Sequence, residues 1–301
     1  MKILAAIIES GRPRQASKNL FIFTALLFAN RFTNITDVLK TLLAFLLFLT
    51  ASAAVYIYND LLDIDQDKLH PRKCKRPLAS GRLPVSFAWF GIFFLVIFSE
   101  LLSFFLGLSF VLVLTSYLIL QVCYCNYLKN QVLLDVFAIA FGFVLRVVAG
   151  AFAIHVHISH WLLLCSLLLA LFLAFGKRRQ ELVLLGDEAH KHRSILGQYG
   201  LPFLDQLIMV VVSSVIVSYS VYSIESSTAH AHPHLWLTIP VVLFGVFRYM
   251  YLVYQCGWGG APEEVILKDR SLQLTLIVWA VLLVILFLFD HAGATAATVL
   301  V

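Results

Sequence analysis

The stretch LPVSFAWFGIFFLVIFSELLSFFLGLSFVLVLTSYLILQVCYCNYL, residues 83–128, carries one charged side chain, Glu100. A helix of about 20 residues crosses the roughly 30 Å hydrocarbon core of a bilayer. The run is therefore too long for one crossing and long enough for two. Gly107, close to its middle, can supply the tight reversal that a chain turning back on itself needs. The spacing predicts a helical hairpin buried in a membrane, with Glu100 inside it.

Working outward, uncharged or nearly uncharged stretches begin near Asn19, Thr41, Leu83, Leu108, Val132, Trp161, Leu201, Leu235 and Leu272. Each ends in a polar break, which predicts nine helices. Of 301 residues, 61% are hydrophobic and 13% charged, with mean hydropathy +0.90, a balance that excludes an ordinary soluble protein. The expected fold class is all-α: a polytopic membrane protein forming one domain over residues 1–301. The first crossing is the shortest, because Lys18 and Arg31 bracket it closely and Arg31 must reach the far interface along its own stem. The opening MKILAAIIESGRPRQ has too short an apolar run for a cleaved secretory signal, so the mature chain is expected to start near Met1. The five cysteines lack the spacing of a disulfide framework and are expected as free thiols. The net charge of +5 points to orientation and anionic ligands rather than to nucleic acid.

With nine crossings, the N-terminal segment and the breaks after helices two, four, six and eight share one side. That side holds 18 of the 22 lysines and arginines, all but Arg31, Lys40, Arg146 and Arg248. Positively charged loops stay in the cytoplasm. The crowded side is thus expected to be cytoplasmic, in a plasma membrane.

The break after helix two reads Asn59-Asp60-Leu61-Leu62-Asp63-Ile64-Asp65-Gln66-Asp67, followed by Lys68, His70, Arg72, Lys73, Lys75 and Arg76. At about 100° per residue, Asn59, Asp60, Asp63 and Asp67 fall within an arc of roughly 100°, while Asp65 points elsewhere. Three carboxylates on one face repel one another unless cations meet them. Hard oxygen ligands beside phosphate suit Mg²⁺, which binds through one or two carboxylates plus substrate oxygens. The competing reading is a solvated helix end neutralised by the basic residues that follow.

The pattern N-D-x-x-D-x-x-x-D with Lys73 and Arg76-Pro77 resembles the first aspartate-rich motif of the UbiA-type membrane prenyltransferase superfamily. Arg12-Pro13-Arg14-Gln15 with Lys18-Asn19, and Tyr127 with Lys129 and Asp135, extend the resemblance across the chain. It implies nine helices around a central cavity open to the cytoplasm. After helix six, ordinary members carry a second aspartate-rich motif; this chain has Gly176-Lys177-Arg178-Arg179-Gln180-Glu181. Cations replace most of the carboxylates, and Lys177 and Arg178 suit direct contact with phosphate. Together with Gly259-Gly260-x-Pro262-Glu263 and Asp269-Arg270-x-Leu272-Gln273, this resembles the decaprenyl-phosphate phosphoribosyltransferase branch. Such members move 5-phosphoribose from phosphoribosyl pyrophosphate to a polyprenyl phosphate and release pyrophosphate.

Inside helix five, Asp135, Gly142, Arg146 and Ala149 form a narrow stripe, because 7, 11 and 14 residues are close to whole turns. Arg146 lies about 21 Å along the helix at 1.5 Å per residue, too deep to reach the surface easily. An intramembrane arginine marks a functional site or an internal pairing with a carboxylate or backbone carbonyls, and Arg248 poses the same choice. The alternating histidines His155, His157, His160 and His230, His232, His234 lack carboxylate or thiolate partners nearby, apart from Glu225. A metal site there is not expected.

The resemblance implies that Asp60, Asp63 and Asp67 are catalytic and hold Mg²⁺ against the donor diphosphate. Substrate contacts are expected from Lys18, Asn59, Lys73, Arg76, Tyr127, Lys129, Asp135, Arg146, Lys177, Arg178, Glu181, Lys268 and Arg270. Lys177, Arg178 or Lys129 would position the lipid phosphate, while Lys73, Arg76, Lys268 and Arg270 would meet the ribose 5-phosphate or pyrophosphate. The implied partners are phosphoribosyl pyrophosphate, polyprenyl phosphate and the bilayer, with room for a homo-oligomer. Two rivals remain: a prenyltransferase joining a prenyl diphosphate to an aromatic acceptor, and a polyprenyl-lipid or anion transporter.

Overall fold

The computed structural model describes residues 2–70, 73–185, 194–258 and 262–299. Arg72, Gly259 and Gly260 lie outside the described residues, and Pro262 and Glu263 enter only through their backbone. The described residues form helices and turns, with no strand among them. We label the helices α1 (Lys2–Ser10), α2 (Phe23–Phe28), α3 (Ile35–Leu62), α4 (Ile64–Leu69), α5 (Val85–Ser103), α6 (Leu108–Asn126), α7 (Leu134–Ala153) and α8 (His160–Leu185). They continue as α9 (Leu201–Glu225), α10 (Ser227–Ala231), α11 (Ile239–Tyr254), α12 (Pro262–Lys268) and α13 (Arg270–Val299). Among the described residues, eight helices are long and apolar enough to cross a membrane. The chain is a multi-pass membrane protein.

The decisive run folds as the hairpin its spacing predicts. α5 ends in a single 3-10 turn, Phe104–Leu106, and Gly107 at φ 99° starts α6. That left-handed φ is strained for any residue with a Cβ. The lone charge holds the two arms together, since Thr115 Oγ1 donates to Glu100 Oε1 at 3.1 Å. Phe90, Phe94 and Phe98 stack one above the next on an exposed face, a surface suited to lipid.

The expected first crossing takes a different form. Residues Pro13–Ile22 form a 3-10 helix that passes into α2. At about 2.0 Å rise per 3-10 residue and 1.5 Å per α residue, Pro13–Phe28 extends roughly 29 Å. The polar 3-10 run and the six-residue α2 are not among the long apolar helices, so the described residues show eight such helices against an expectation of nine.

The chain falls into two compact units, Met1–Lys129 with Phe141–His157, and Asn130–Ala140 with Ile158–Val301. In the first unit, Ile22, Leu26, Phe48, Phe110, Tyr117 and Ala149 pack as a core around the 3-10 run. Gly150 makes the approach possible: a Cβ there would lie 2.0 Å from the Ile22 carbonyl oxygen. α3 starts where Asn34 Oδ1 accepts from the backbone N–H of Thr36 and Asp37, at 3.0 and 3.4 Å. In the second unit, Tyr219 Oη meets Thr238 Oγ1 at 2.8 Å and accepts from Trp279 Nε1 at 3.0 Å, tying α9 to the start of α11 and to α13. All five cysteines are free thiols.

Candidate active site: a carboxylate face met by cations

Asp63 ends α3 with φ −98° and ψ 9°, outside helical geometry. The helical phase survives the break, because Asp63 N donates to Asn59 O at 3.1 Å and Asp67 N to Asp63 O at 2.8 Å. Asp60 and Asp67 are accordingly buried, each 2% exposed, while the Asp65 side chain is 88% exposed and, among the described residues, pairs only with Lys68.

Each buried carboxylate meets a cation. Arg76 Nη1 donates to Asp60 Oδ1 at 3.1 Å and to Asp67 Oδ2 at 2.5 Å, so one nitrogen bridges two carboxylates. Arg12 donates to the same Asp60 oxygen and lies 5.0 Å over the Tyr56 ring. Lys73 stands 3.9 Å from Asp67, and burial holds its ammonium below the usual lysine range although Asp67 opposes this. Asp63 accepts from Lys129 Nζ at 2.8 Å and Asn59 Nδ2 at 3.0 Å. Beside Asp60, a cavity of about 240 Å³ is lined by Glu9, Ser10, Arg12, Asp60, Lys75, Arg76 and Pro77. Glu9 is paired with Arg82 in a two-pronged contact at 2.7 and 2.8 Å, so on the cavity wall Arg12, Lys75 and Arg76 outnumber the Asp60 carboxylate. The arrangement favours an anion.

Arg12 did not stand out as a site residue in the sequence beyond its place in Arg12-Pro13-Arg14-Gln15. Its backbone is left-handed, φ 52° and ψ 62°, immediately before the 3-10 run. That turn brings a residue 48 positions distant in sequence onto Asp60.

A second cluster, within the other unit, centres on Asp135, which is fully buried. Arg178 Nε donates to Asp135 Oδ2 at 2.7 Å and Arg178 Nη1 to Glu181 Oε2 at 2.6 Å. Tyr199 Oη donates to Asp135 Oδ1 at 2.9 Å, and burial pushes that phenol up to about 12, so it remains a donor. Arg179 donates to Asp205 at 2.6 Å and Gln180 to the Gly257 carbonyl at 2.6 Å. Of the charged groups in Gly176–Glu181, Lys177 alone makes no hydrogen bond or ion pair among the described residues.

The remaining expected site residues make other contacts or are exposed. Arg146 is 5% exposed and pairs with no carboxylate among the described residues: Nε donates to Asn19 Oδ1 at 2.7 Å, Nη1 to Gly142 O at 2.8 Å and Nη2 to Tyr117 Oη at 2.9 Å. Through Asn19 it pins the 3-10 run from inside. Lys18 donates to Gln15 at 3.0 Å. Tyr127 and Arg270 are exposed, and Lys268 pairs with Glu264 at 3.6 Å on the surface. Arg248 is a structural pair, donating to both Asp269 oxygens at 3.2 and 2.7 Å. Asp269 Oδ1 also caps α13 by accepting from Leu272 N at 2.7 Å, and the Arg248 contact holds its carboxyl below the usual range.

Among the described residues, no three carboxylate, imidazole or thiol groups gather closely enough to hold an ion by themselves. The donor set nevertheless fits Mg²⁺ in a substrate complex. Asp60 Oδ1 and Asp67 Oδ2 converge on one point, now marked by Arg76 Nη1, and Mg²⁺ needs only one or two carboxylates when phosphate oxygens and water complete its shell.

Known proteins resemble this chain in sequence and in fold. The decaprenyl-phosphate phosphoribosyltransferase of Mycolicibacterium smegmatis is 31% identical over 288 residues, covering 92% of this chain and 91% of the relative. The protein of the same name from Corynebacterium glutamicum is 33% identical over 279 residues, covering 91% and 84%. The solved structure of a UbiA homolog from Archaeoglobus fulgidus, bound to GPP and Mg²⁺, aligns with TM-score 0.67 over 97% of this chain and 99% of that one, at 16% identity. The sequence profile of the UbiA prenyltransferase family matches residues 20–253. This chain therefore belongs to the UbiA prenyltransferase family.

Proposed function

We propose that this protein transfers 5-phosphoribose from phosphoribosyl pyrophosphate to a polyprenyl phosphate of decaprenyl type, releasing pyrophosphate, at a Mg²⁺-dependent site facing the cytoplasm from a plasma membrane. The observation that carries the reading is the segment Gly176–Glu181, where Lys177 is the charge without a partner among the described residues and Glu181 the single carboxylate, itself tied to Arg178. A second diphosphate clamp needs carboxylates there, whereas a lipid monophosphate needs a cation. The names of the two relatives point to the same reaction.

In this reading, Asp60 and Asp67, with Asp63, hold the metal against the donor diphosphate. Bound there, Mg²⁺ neutralises the departing pyrophosphate. Arg12 and Arg76 turn from the carboxylates to diphosphate oxygens, giving charge-assisted bonds that strengthen as negative charge grows on the leaving group. Lys73 and Lys75 extend the same cationic edge toward the ribose 5-phosphate. The acceptor phosphate is already anionic, so its attacking oxygen needs orienting by a cation, the role this reading gives to Lys177, and no general base is required. Asp135, Tyr199 and Arg178 keep the Lys177 segment in place. Asn59 orients Asp63, and Arg146 fixes the 3-10 run that carries Arg12.

The reading is tested by incubating purified protein with ribose-labelled phosphoribosyl pyrophosphate, polyprenyl phosphate and Mg²⁺. A labelled lipid that appears only when all three are present supports it; label remaining in the aqueous phase rejects it. Orientation is checked separately with single-cysteine reporters, which should read cytoplasm at Lys75 and the outside just after His232.

A further inference from the structure

We infer that Arg76 is a place-holding cation: it occupies the point where Asp60 and Asp67 converge, and a divalent ion enters only when a diphosphate draws the guanidinium away. The inference rests on the proposed reading only in placing a divalent ion between these two carboxylates.

Asp60 and Asp67 are each 2% exposed, and the Arg76 Nη1 atom lies 3.1 Å from one and 2.5 Å from the other. An ion ligated by both oxygens must stand close to that nitrogen, so ion and guanidinium exclude each other by size as well as by charge. A free divalent ion competes at a disadvantage. The guanidinium is tethered nine residues from Asp67 and needs no diffusion to return. Displacing it by metal alone would leave Arg76, whose side chain is only 25% exposed, without its two carboxylate partners. Arg12, on the same Asp60 oxygen, would lose its partner as well.

A diphosphate changes the exchange. Its oxygens accept from Arg76 and Arg12 at the moment the metal takes over the carboxylates, so every charge keeps an opposite neighbour throughout. The cavity of about 240 Å³ beside Asp60 already has both arginines on its wall and can receive the anion. Metal and diphosphate therefore bind cooperatively, and the coupling is reciprocal.

The test is a Mn²⁺ titration of the full chain in detergent, read by the electron paramagnetic resonance of free Mn²⁺, with no donor or acceptor present. Wild-type protein should bind Mn²⁺ weakly. Arg76→Gln should bind it about tenfold or more tightly, within the usual range of such coupling. Arg76→Lys, which restores a cation, should stay weak. Arg12→Gln should shift affinity in the same direction by less, and adding Asp67→Asn to Arg76→Gln should abolish the gain. The inference is overturned if Arg76→Gln does not tighten Mn²⁺ binding relative to wild-type protein, whatever Arg12→Gln does. Because the titration contains no substrate, tighter binding by the variants alongside failed phosphoribosyl transfer by wild-type protein would retain the inference and reject the proposed reaction.

Discussion

Arg178 and Asp135 form an ion pair at 2.7 Å in which both side chains are almost wholly buried, 2% and 0% exposed. Such a guanidinium is committed to carboxylates. Its neighbour Lys177 is half-buried and unpaired among the described residues. Two adjacent cations that look equivalent in sequence thus have different surroundings.

Removing one partner of a buried pair leaves an uncompensated charge and costs roughly 3–5 kcal/mol. Arg178→Ala should therefore lower the unfolding temperature sharply in a detergent melt. Lys177→Ala should leave the melt almost unchanged and raise the KM for polyprenyl phosphate about tenfold, with a much smaller effect on the donor KM. An unaltered acceptor KM would remove Lys177 from the site.

Asp63→Ala and Asp67→Ala should abolish transfer, while Asp65→Ala should keep most of it. All three delete one local negative charge, so a long-range field effect would weaken them alike. The difference follows from direction: Asp65 is exposed and pairs with Lys68, whereas Asp67 is buried against Arg76. Initial rates at saturating substrate check this, and an Asp65 variant as damaged as the others would refute the shared face.

Gly150→Ala introduces a methyl group where the Ile22 carbonyl oxygen already stands, 2.0 Å from the ideal Cβ position. Backbone must move to admit it. Overpacking of this kind costs roughly 1–3 kcal/mol. The displaced element is the 3-10 run that begins beside Arg12, so donor affinity should fall together with thermal stability. Donor titration and a melt on the same preparation measure both.

Burial holds Lys73 below the ordinary lysine range, so its charge disappears at lower pH than that of a solvated lysine, near 10.4. Donor KM should accordingly begin to rise with pH before that value. In Lys73→Arg, whose side chain stays charged, the alkaline rise should move up or vanish. A profile identical in the two proteins would show that Lys73 does not meet the donor.

The hairpin of α5 and α6 was legible because a single charge and one central glycine leave few alternatives in a bilayer. The acidic face was legible for a related reason: helical phase is set by residue spacing alone, and the bonds across Asp63 preserve it. The 3-10 form of Pro13–Ile22 was not, since hydropathy reports how apolar a segment is and not its rise per residue. Arg12 escaped for the same reason, because a left-handed turn and a contact across 48 residues leave little trace in local pattern. Arg178 and Lys177 could not be distinguished in sequence, because their separation depends on Asp135, 43 residues earlier. Arg248 posed a choice that only its contact with Asp269 decides.

The central claim is donor choice, and the most direct measurement offers one preparation two donor and acceptor pairs with Mg²⁺. One pair is phosphoribosyl pyrophosphate with polyprenyl phosphate; the other is a prenyl diphosphate with an aromatic acceptor. The account predicts phosphoribosylated lipid and released pyrophosphate from the first pair and no prenylated aromatic from the second. Robust turnover of the second pair, with no lipid product from the first, would contradict it.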